Sequence, residues 1–433
     1  MKSVGLITEY NPFHNGHLFH LNRAKEITQA ECAIAVMSGD FVQRGEPAII
    51  DKYSRTKAAV DAGVNLVIEL PVVSALSSAE GFASGAIQQL NTLGVDSIVF
   101  GSECGDIQKL AAIADILIDE TPEYKSILMK AIAAGNSFPA AREIAVRKIL
   151  ESNSNSPSLI NSANTSNAFK EEKVQLTDIL SSPNNILGIE YIKAIKKMNA
   201  SITPITIQRE GTGYNQIQIN GLPSASAIRA QYCGKTELIN TESLKNQLPE
   251  SMFQILTDTI SKQYQPITID DFSLLFHIKM NEIIYSCHCN KSAIIEQLCA
   301  YPDINEDFAA RIYNAYKGRE PLSSYCQNVK SKQYTYSRIS RTLMHIILGL
   351  TTESKANAKP YIRILGFDDI GAQYLSSIRK TCSVPLITKV SDHTDLLIND
   401  IFCSHIYNEV VYNKCGYRIP DEYRAGIYKK CRE

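Results

Sequence analysis

The chain has 433 residues, with 44 Lys plus Arg against 45 Asp plus Glu and so a net charge of −1. At roughly 150 residues per domain this predicts two or three domains, enough to bury a core without disulfide or metal staples. A hydrophobic fraction of 44% and a charged fraction of 21% fit a globular protein and exclude a uniformly basic nucleic-acid binder, though not a local basic patch.

Residues 3–10 read as a strand and 16–28 as a helix. Residues 32–39 are a second apolar run ending in a turn signal. Residues 54–63 read as a helix opened by Ser54 and closed by Gly63. A third strand at 65–71, a helix at 75–93 and a fourth strand at 96–101 follow. Near-continuous apolar strands alternating with helices predict an α/β fold, a Rossmann-like domain with a doubly wound parallel sheet. Ligands bind such sheets at the carboxyl ends of the strands. That gathers Thr8 to His17, Ser38 to Arg44 and Gly101 to Glu103 around one crevice.

Residues 105–180 read as a helical insert containing a flexible loop, 151–168, with six Ser and five Asn. A helix through Lys197, a strand at 202–208 and a helix opening at 224–229 complete a catalytic domain, 1–235. Residues 236–433 read as a mainly helical C-terminal region ending in a small α/β unit, with strands at 361–366 and 385–388. No run approaches the roughly 18 apolar residues of a membrane span, and Glu9 comes too early for a signal peptide, so a cytoplasmic protein is expected. The 11 cysteines are scattered and form no Cys-x-x-Cys pair. The Cys287-His288-Cys289 cluster lacks ligands paired across a turn, and no metal site is predicted.

The informative segment is Asn11-Pro12-Phe13-His14-Asn15-Gly16-His17, between the first strand and the first helix. His14 and His17 share a helix face. The helix N-terminus supplies free N–H groups and about half a positive charge. Pro12 fixes the turn, and Gly16 would let a flat base or a phosphate approach the backbone. Two imidazoles there suit a nucleoside triphosphate, with donors where charge builds on the α-phosphate and the leaving diphosphate. A lone His-x-x-His also reads as a pair of cap histidines; its position after Asn-Pro-Phe at the end of a strand favours the nucleotide. The chain has no Walker A, Gly-x-Gly-x-x-Gly or His-Glu-x-x-His motif, so kinase, dehydrogenase and zincin readings lose their usual support.

His14-Asn15-Gly16-His17 resembles the HxGH signature of the nucleotidyltransferase superfamily. Ser224-Ala225-Ser226-Ala227-Ile228-Arg229 resembles a degenerate form of its second signature, ISSTxIR. Residues 9–17, 37–47, 100–103, 183–188 and 334–341, taken in order, resemble the bacterial tRNA(Met) cytidine acetate ligases over nearly the whole chain. The resemblance implies a ligase that forms acetyl-adenylate from acetate and ATP. It then passes the acetyl group to N4 of the wobble cytidine of elongator tRNA(Met), giving N4-acetylcytidine. The substrates would be ATP with Mg2+, acetate and tRNA, with no membrane and no obligate protein partner. The resemblance implies His14 and His17 as catalytic residues. Its ATP site falls on Ile7, Thr8, Glu9, Tyr10, Asn11, Pro12, Phe13, His14, Asn15, Gly16, His17, Leu18, Phe19 and His20, with Gly101, Asn184 and Arg209.

Each distal residue also has a chemical reason. Gly101 ends a strand where a side chain would block the adenosine. Asn184 precedes a helix and suits base or ribose, or a plain helix cap. Arg209 ends a strand and suits phosphate. Asp40 is a weaker candidate, as acceptor of the N4 proton, as a magnesium ligand or as a turn former. Arg44 and Arg229 are candidate phosphate or RNA contacts. Residues 330–341 hold four basic residues, two tyrosines and no acid, so Arg338 and Arg341 are candidate RNA contacts, with Tyr334 and Tyr336 stacking on bases or facing the core. Lys130, Arg142, Arg147 and Lys148 form a weaker basic group. Two competing readings are a small-molecule nucleotidyltransferase and a non-catalytic RNA-binding protein. The extra C-terminal region disfavours the first and the paired histidines disfavour the second.

Overall fold

The computed structural model describes residues 1–136, 138–155, 176–209, 218–219, 222–223, 225–233 and 244–430. β1 (Ser3–Thr8), α1 (Asn15–Thr28) and β2 (Cys32–Ser38) open the chain. A two-residue hairpin pair, β3 (Phe41–Val42) and β4 (Glu46–Pro47), leads to α2 (Lys52–Asp61), β5 (Leu66–Leu70) and β6 (Ser97–Ser102). Every residue of β2 and β5 is buried, as continuous apolar strands require when both faces are covered. After β7 (Thr203–Gln208), β8 (Gln218–Ile219) pairs with β9 (Leu222–Pro223).

β1 pairs in parallel with both β2 and β6, β2 with β5, and β6 with β7. The order β5-β2-β1-β6-β7 therefore reverses between β1 and β6. At such a reversal the loops leaving neighbouring strands diverge to opposite faces and open a crevice. Helices cover both faces. On one, α1, α2 and the C-terminal helices share an apolar cluster running from Leu6 and Phe41 to Phe272, Phe276 and Leu343. On the other, the helices Ala79–Leu93, Ile107–Asp119 and Pro183–Lys197 pack Phe82, Leu110 and Ile189 against Ile34 and Ile68.

Several elements differ from the sequence reading. Asp51, not Ser54, caps α2: its carboxylate accepts from the Tyr53 and Ser54 N–H groups, both at 2.9 Å. A carboxylate meets the free N–H groups and the helix dipole at once, which the Ser54 hydroxyl does not. The helix expected at 75–93 is two, Val72–Ala75 and Ala79–Leu93, the second capped by Ser78. Residues 151–155 of the expected loop belong to the helix Phe138–Asn155, while 156–168 lie outside the described residues, as does Ser224 before the helix Ala225–Tyr232.

The small C-terminal unit exists, but not as a separate layer. β10 (Ile362–Asp368) runs antiparallel beside β5, with a bulge between Ile364 and Gly366. It also pairs in parallel with β11 (Leu386–Ile387) and β12 (Tyr428–Lys430). The result is one 8-stranded sheet that crosses the division expected near residue 235. Without β10, the fully buried β5 would present an open edge.

Charge reinforces the join. The Lys52 ammonium, completely buried, lies 2.8 Å from Glu69 and 3.0 Å from Glu422. Arg363 on β10 lies 2.8 Å from the other oxygen of Glu69 as an ion pair and also pairs with Glu422. Tyr53 donates to Glu422 at 2.9 Å. Burial and the Arg363 charge act to discharge Lys52, but the Glu422, Glu69 and Asp40 carboxylates outweigh them and raise its pKa. Glu422 is held down at about 2, its burial outweighed by Lys52 and Arg363. Lys52→Met would leave Glu69 and Glu422 facing one cation instead of two, and should cost about 3–5 kcal/mol of unfolding free energy, as losing one member of a buried ion cluster does. Urea unfolding checks this, and a loss below about 1 kcal/mol, the worth of an exposed pair, would mean that the cluster does not hold the join.

Candidate active site

The crevice at the β1/β6 reversal is lined first by the turn from β1 into α1. Tyr10 takes a left-handed backbone, φ 47°, before a cis Asn11–Pro12 bond. Asn11 Oδ1 accepts from the Ile49 N–H at 2.9 Å. The Tyr10 and Phe13 rings, both in the core, meet edge to face at 4.7 Å. These two members of the expected ATP segment thus support the turn from beneath, and Phe19 faces solvent, 58% exposed.

His14 caps α1. Its Nδ1 accepts from the Gly16 N–H at 3.0 Å, and its own N–H donates to His17 Nδ1 at 3.3 Å. The two rings stack with centroids 3.8 Å apart. A Cβ at Gly16 would sit 2.8 Å from His14 Cε1. The missing Cβ at Gly16 therefore makes room for the His14 imidazole. Burial, then the Arg209 and Arg229 charges, push His14 down to about 3. Burial and the neighbouring His14 hold His17 well below its ordinary value, and burial with Arg209 takes His20 down to about 4. The imidazoles are neutral at neutral pH. With each Nδ1 accepting from a backbone N–H, the ring proton of both His14 and His17 sits on Nε2. Each presents one N–H donor.

Opposite them, Arg209 lies across Gly101, where an added Cβ would come within 3.0 Å of Arg209 Cγ. Gly101 thus gives way to the arginine. Arg209 donates to Asn184 Oδ1 at 3.3 Å, and Asn184 Nδ2 donates to Glu103 Oε1 at 2.7 Å. Glu103 Oε2 accepts from the Asn185 N–H at 3.0 Å. Asn184 is a link in this chain, held at the first turn of the helix Pro183–Lys197, and Ser182 is the residue at the cap. Arg229 donates to the Asn11 carbonyl at 2.9 Å and to Ser226 at 3.1 Å, reaching the same turn from the helix Ala225–Tyr232. His14, His17, Arg209 and Arg229 thus converge.

Other candidates fall elsewhere. Asp40 is buried: its Oδ1 accepts from the Lys52 N–H at 3.2 Å and its Oδ2 from Ser404 at 2.5 Å. Those bonds commit it to the fold. Arg341 is also buried, 3.5 Å from Asp303, and Tyr334 stacks on Phe308 at 4.2 Å. The core-facing reading holds for Tyr334, whereas Arg341, expected at an RNA-facing surface, is paired inside the fold. Arg338 is half-buried: its guanidinium lies over the Tyr334 ring at 5.1 Å and donates to the Asp303 carbonyl at 2.9 Å. Arg44 is exposed on the turn between β3 and β4, and Ser340 donates to the Gly45 carbonyl at 2.6 Å, so this turn rests on the helix Tyr336–Leu348 that carries Arg338. Arg142 is taken up by Glu190 at 3.3 Å. Among the described residues no three His, Cys, Asp or Glu side chains converge to hold a metal.

Sequence reasoning missed Arg55, whose guanidinium is fully buried. Nε donates to the Ile50 carbonyl at 3.0 Å, one terminal nitrogen to those of Glu9 at 2.7 Å and Ser38 at 3.0 Å, and the other to that of Gly39. It ties the carboxyl ends of β1 and β2 together beneath the crevice. The signal was helical spacing: Arg55 lies four residues before Ala59, on the buried face of α2. Glu103 was read only as part of a motif, not as the residue that orients Asn184.

A profile of the HIGH nucleotidyl transferase family matches residues 1–420. A Clostridium acetobutylicum protein named tRNA(Met) cytidine acetate ligase is 42% identical over 99% of this chain and 100% of its own. The protein of that name from Acetivibrio thermocellus is 40% identical over 90% of this chain and 89% of its own. Crystal structures of Thermotoga maritima TmcAL, one bound with alpha-thio ATP and one apo, each match with a TM-score of 0.83 over 100% of both chains, at 30% and 31% identity. With its paired imidazoles at the head of α1 and these relatives along its whole length, the chain belongs to the HIGH nucleotidyl transferase family, among the tRNA(Met) cytidine acetate ligases.

Proposed function

We propose that the chain is an ATP-dependent acetate ligase acting on elongator tRNA(Met). It joins acetate to AMP with release of diphosphate, then passes the acetyl group to N4 of the wobble cytidine. The observation that carries this reading is the pair of neutral, stacked imidazoles, each with an Nε2–H donor, facing Arg209 and Arg229 at the sheet's reversal point. Two cations and two neutral donors match a triphosphate whose charge shifts toward the diphosphate as the P–O bond breaks. The relatives' names supply tRNA(Met) and the acetate chemistry. Mg2+ would come with the nucleotide.

A cytosine amine is a weak nucleophile and acetate a poor acyl donor. Adenylation supplies the leaving group, and the site must then keep water from the mixed anhydride. The direct test supplies ATP, labelled acetate and bacterial tRNA, and seeks the label in nucleosides. Label in N4-acetylcytidine supports the ligase, and ATP turnover with label only in a small metabolite overturns it.

Three outcomes follow. His17→Ala should slow acetate-dependent ATP–diphosphate exchange by about 10²–10³-fold, the usual cost of one such donor. Unchanged exchange at saturating ATP would remove His17 from the mechanism. For RNA, Arg44 and Arg338 stand on adjoining elements and replace the Arg338/Arg341 pair. Changing both to Gln should lower the slope of log K against log salt by about 0.7–0.9 per lost contact, while Arg341→Gln lowers thermal stability and leaves the slope alone. Binding at several salt concentrations, with melting curves, separates these. For pH, a histidine depressed in the folded state takes up its proton first in the unfolded chain. Stability should thus decline as pH falls below about 6.5 toward the folded values of about 3 for His14 and about 4 for His20. ATP should lessen the decline, because phosphates favour the charged imidazole; melting temperatures with and without ATP across this range check the sign.

A further inference from the structure

Acetyl transfer needs a proton acceptor. As the cytosine N4 bonds to the acetyl carbon, its nitrogen becomes acidic and one N–H must be lost. Most of the obvious candidates are spent, and the His20 Nε2, which takes no hydrogen bond among the described residues, is closed off from solvent. His14 and His17 have their Nδ1 lone pairs on the Gly16 and His14 N–H groups and carry their ring protons on Nε2. Arg209 and Arg229 are cations. Both oxygens of Glu103 are engaged, by Asn184 and the Asn185 N–H. Both oxygens of Asp40 are engaged within the buried join to the C-terminal region. Burial raises the phenol pKa values of Tyr10 and Tyr191 above the usual range, so both keep their protons.

Glu9 differs. It follows the last residue of β1, at the reversal point, and is half-buried. Arg55 fixes its main chain through the carbonyl at 2.7 Å. One oxygen, Oε1, accepts from the Gln43 N–H at 2.9 Å, and the Gln43 side chain is in turn moored to the Ser77 carbonyl at 3.2 Å. Among the described residues, the other oxygen takes no hydrogen bond and Glu9 has no cationic partner. The Glu9 charge also reaches the buried Tyr191 phenol on the helix Pro183–Lys197. The arrangement is a carboxylate at the end of β1, five residues before His14, anchored by one oxygen and, among the described residues, unbonded at the other.

We propose that Glu9 is the general base of acetyl transfer, taking the N4 proton of the cytosine as it attacks; the assignment rests on the ligase reading above. The N4–C bond forms, the C–O bond to the AMP phosphate breaks with its electron pair leaving on AMP, and the proton passes from N4 to the Glu9 carboxylate. Adenylation of acetate requires no such acceptor, since a carboxylate attacks without losing a proton. The two half-reactions should therefore respond unequally to loss of this base.

The experiment compares wild type, Glu9→Gln and Glu9→Asp in two assays, acetate-dependent ATP–diphosphate exchange and single-turnover formation of N4-acetylcytidine in tRNA. Gln keeps the acceptor for the Gln43 N–H but takes no proton. Glu9→Gln should slow transfer by about 10²–10⁴-fold, the usual worth of a positioned base, while exchange falls by no more than about tenfold. The wild-type transfer rate should drop on the acid side of its pH profile, Gln should remove that limb, and Asp should restore part of the rate. Equal losses in both assays, or an acid limb that survives in Glu9→Gln, would overturn the assignment alone. Wild-type protein that exchanges label but never acetylates tRNA would overturn the ligase reading and the assignment with it.

Discussion

Parallel strands splay where they leave the sheet, and their last carbonyls lose ladder partners just where a binding crevice must open. In this fold the Arg55 guanidinium supplies the missing donors, bonding the carbonyls of Glu9, Ser38, Gly39 and Ile50 from beneath. An unsatisfied buried carbonyl costs about 1–3 kcal/mol, so four together rival the whole stability of an ordinary domain. No hydroxyl or amide could replace this group, because the five N–H donors of one planar fork serve two strand ends and a loop at once. The crevice floor is thereby fixed without bound ligand. Glu9, Tyr10 and the turn to His14 inherit their positions from it.

Upon that floor the charge is distributed by class. The imidazoles are kept neutral by burial and by Arg209 and Arg229, so the cationic charge rests on two guanidiniums and the histidines act as dipolar donors. A neutral donor strengthens as negative charge builds on the atom it faces, whereas a preformed imidazolium would bind ground state and transition state more nearly alike. The hydrogen bonds from Gly16 and His14 main-chain groups that set this tautomer come from the first turn of α1 itself. Local helix geometry thus determines which ring nitrogen carries the proton.

The catalytic half was legible wherever local pattern decides structure. Apolar runs located β1, β2, β5 and β6, and the histidine spacing located the head of α1. Reading failed where a partner arrives from far along the chain. Residue 363 looks like an arginine in an ordinary short strand, yet it meets Glu69 and Glu422 and completes a cluster around Lys52. Residue 341 looks like a basic face for RNA until Asp303 is brought to it. Asp40 had the right strand end but lost its candidacy to Lys52 and Ser404. Ser54 lost the cap of α2 to an aspartate three residues earlier, because a carboxylate outcompetes a hydroxyl for the same N–H groups.

These long-range joins also bear on how the two halves work together. β10 makes the C-terminal region part of the catalytic sheet, and the β3–β4 turn rests directly on the helix Tyr336–Leu348 through the Gly45 carbonyl. Gly45 has φ 78°, and a Cβ there would collide with the Arg341 backbone at 2.1 Å, so turn and helix pack at backbone distance. That same turn contains Gln43, whose N–H anchors the Glu9 carboxylate. A short, closely packed path therefore runs from the half-buried Arg338 through the helix and Gly45 to Gln43 and the end of β1. No flexible linker intervenes along it. If RNA docks on Arg44 and Arg338 as proposed, it meets a helix whose position relative to the crevice is already set by main-chain contact.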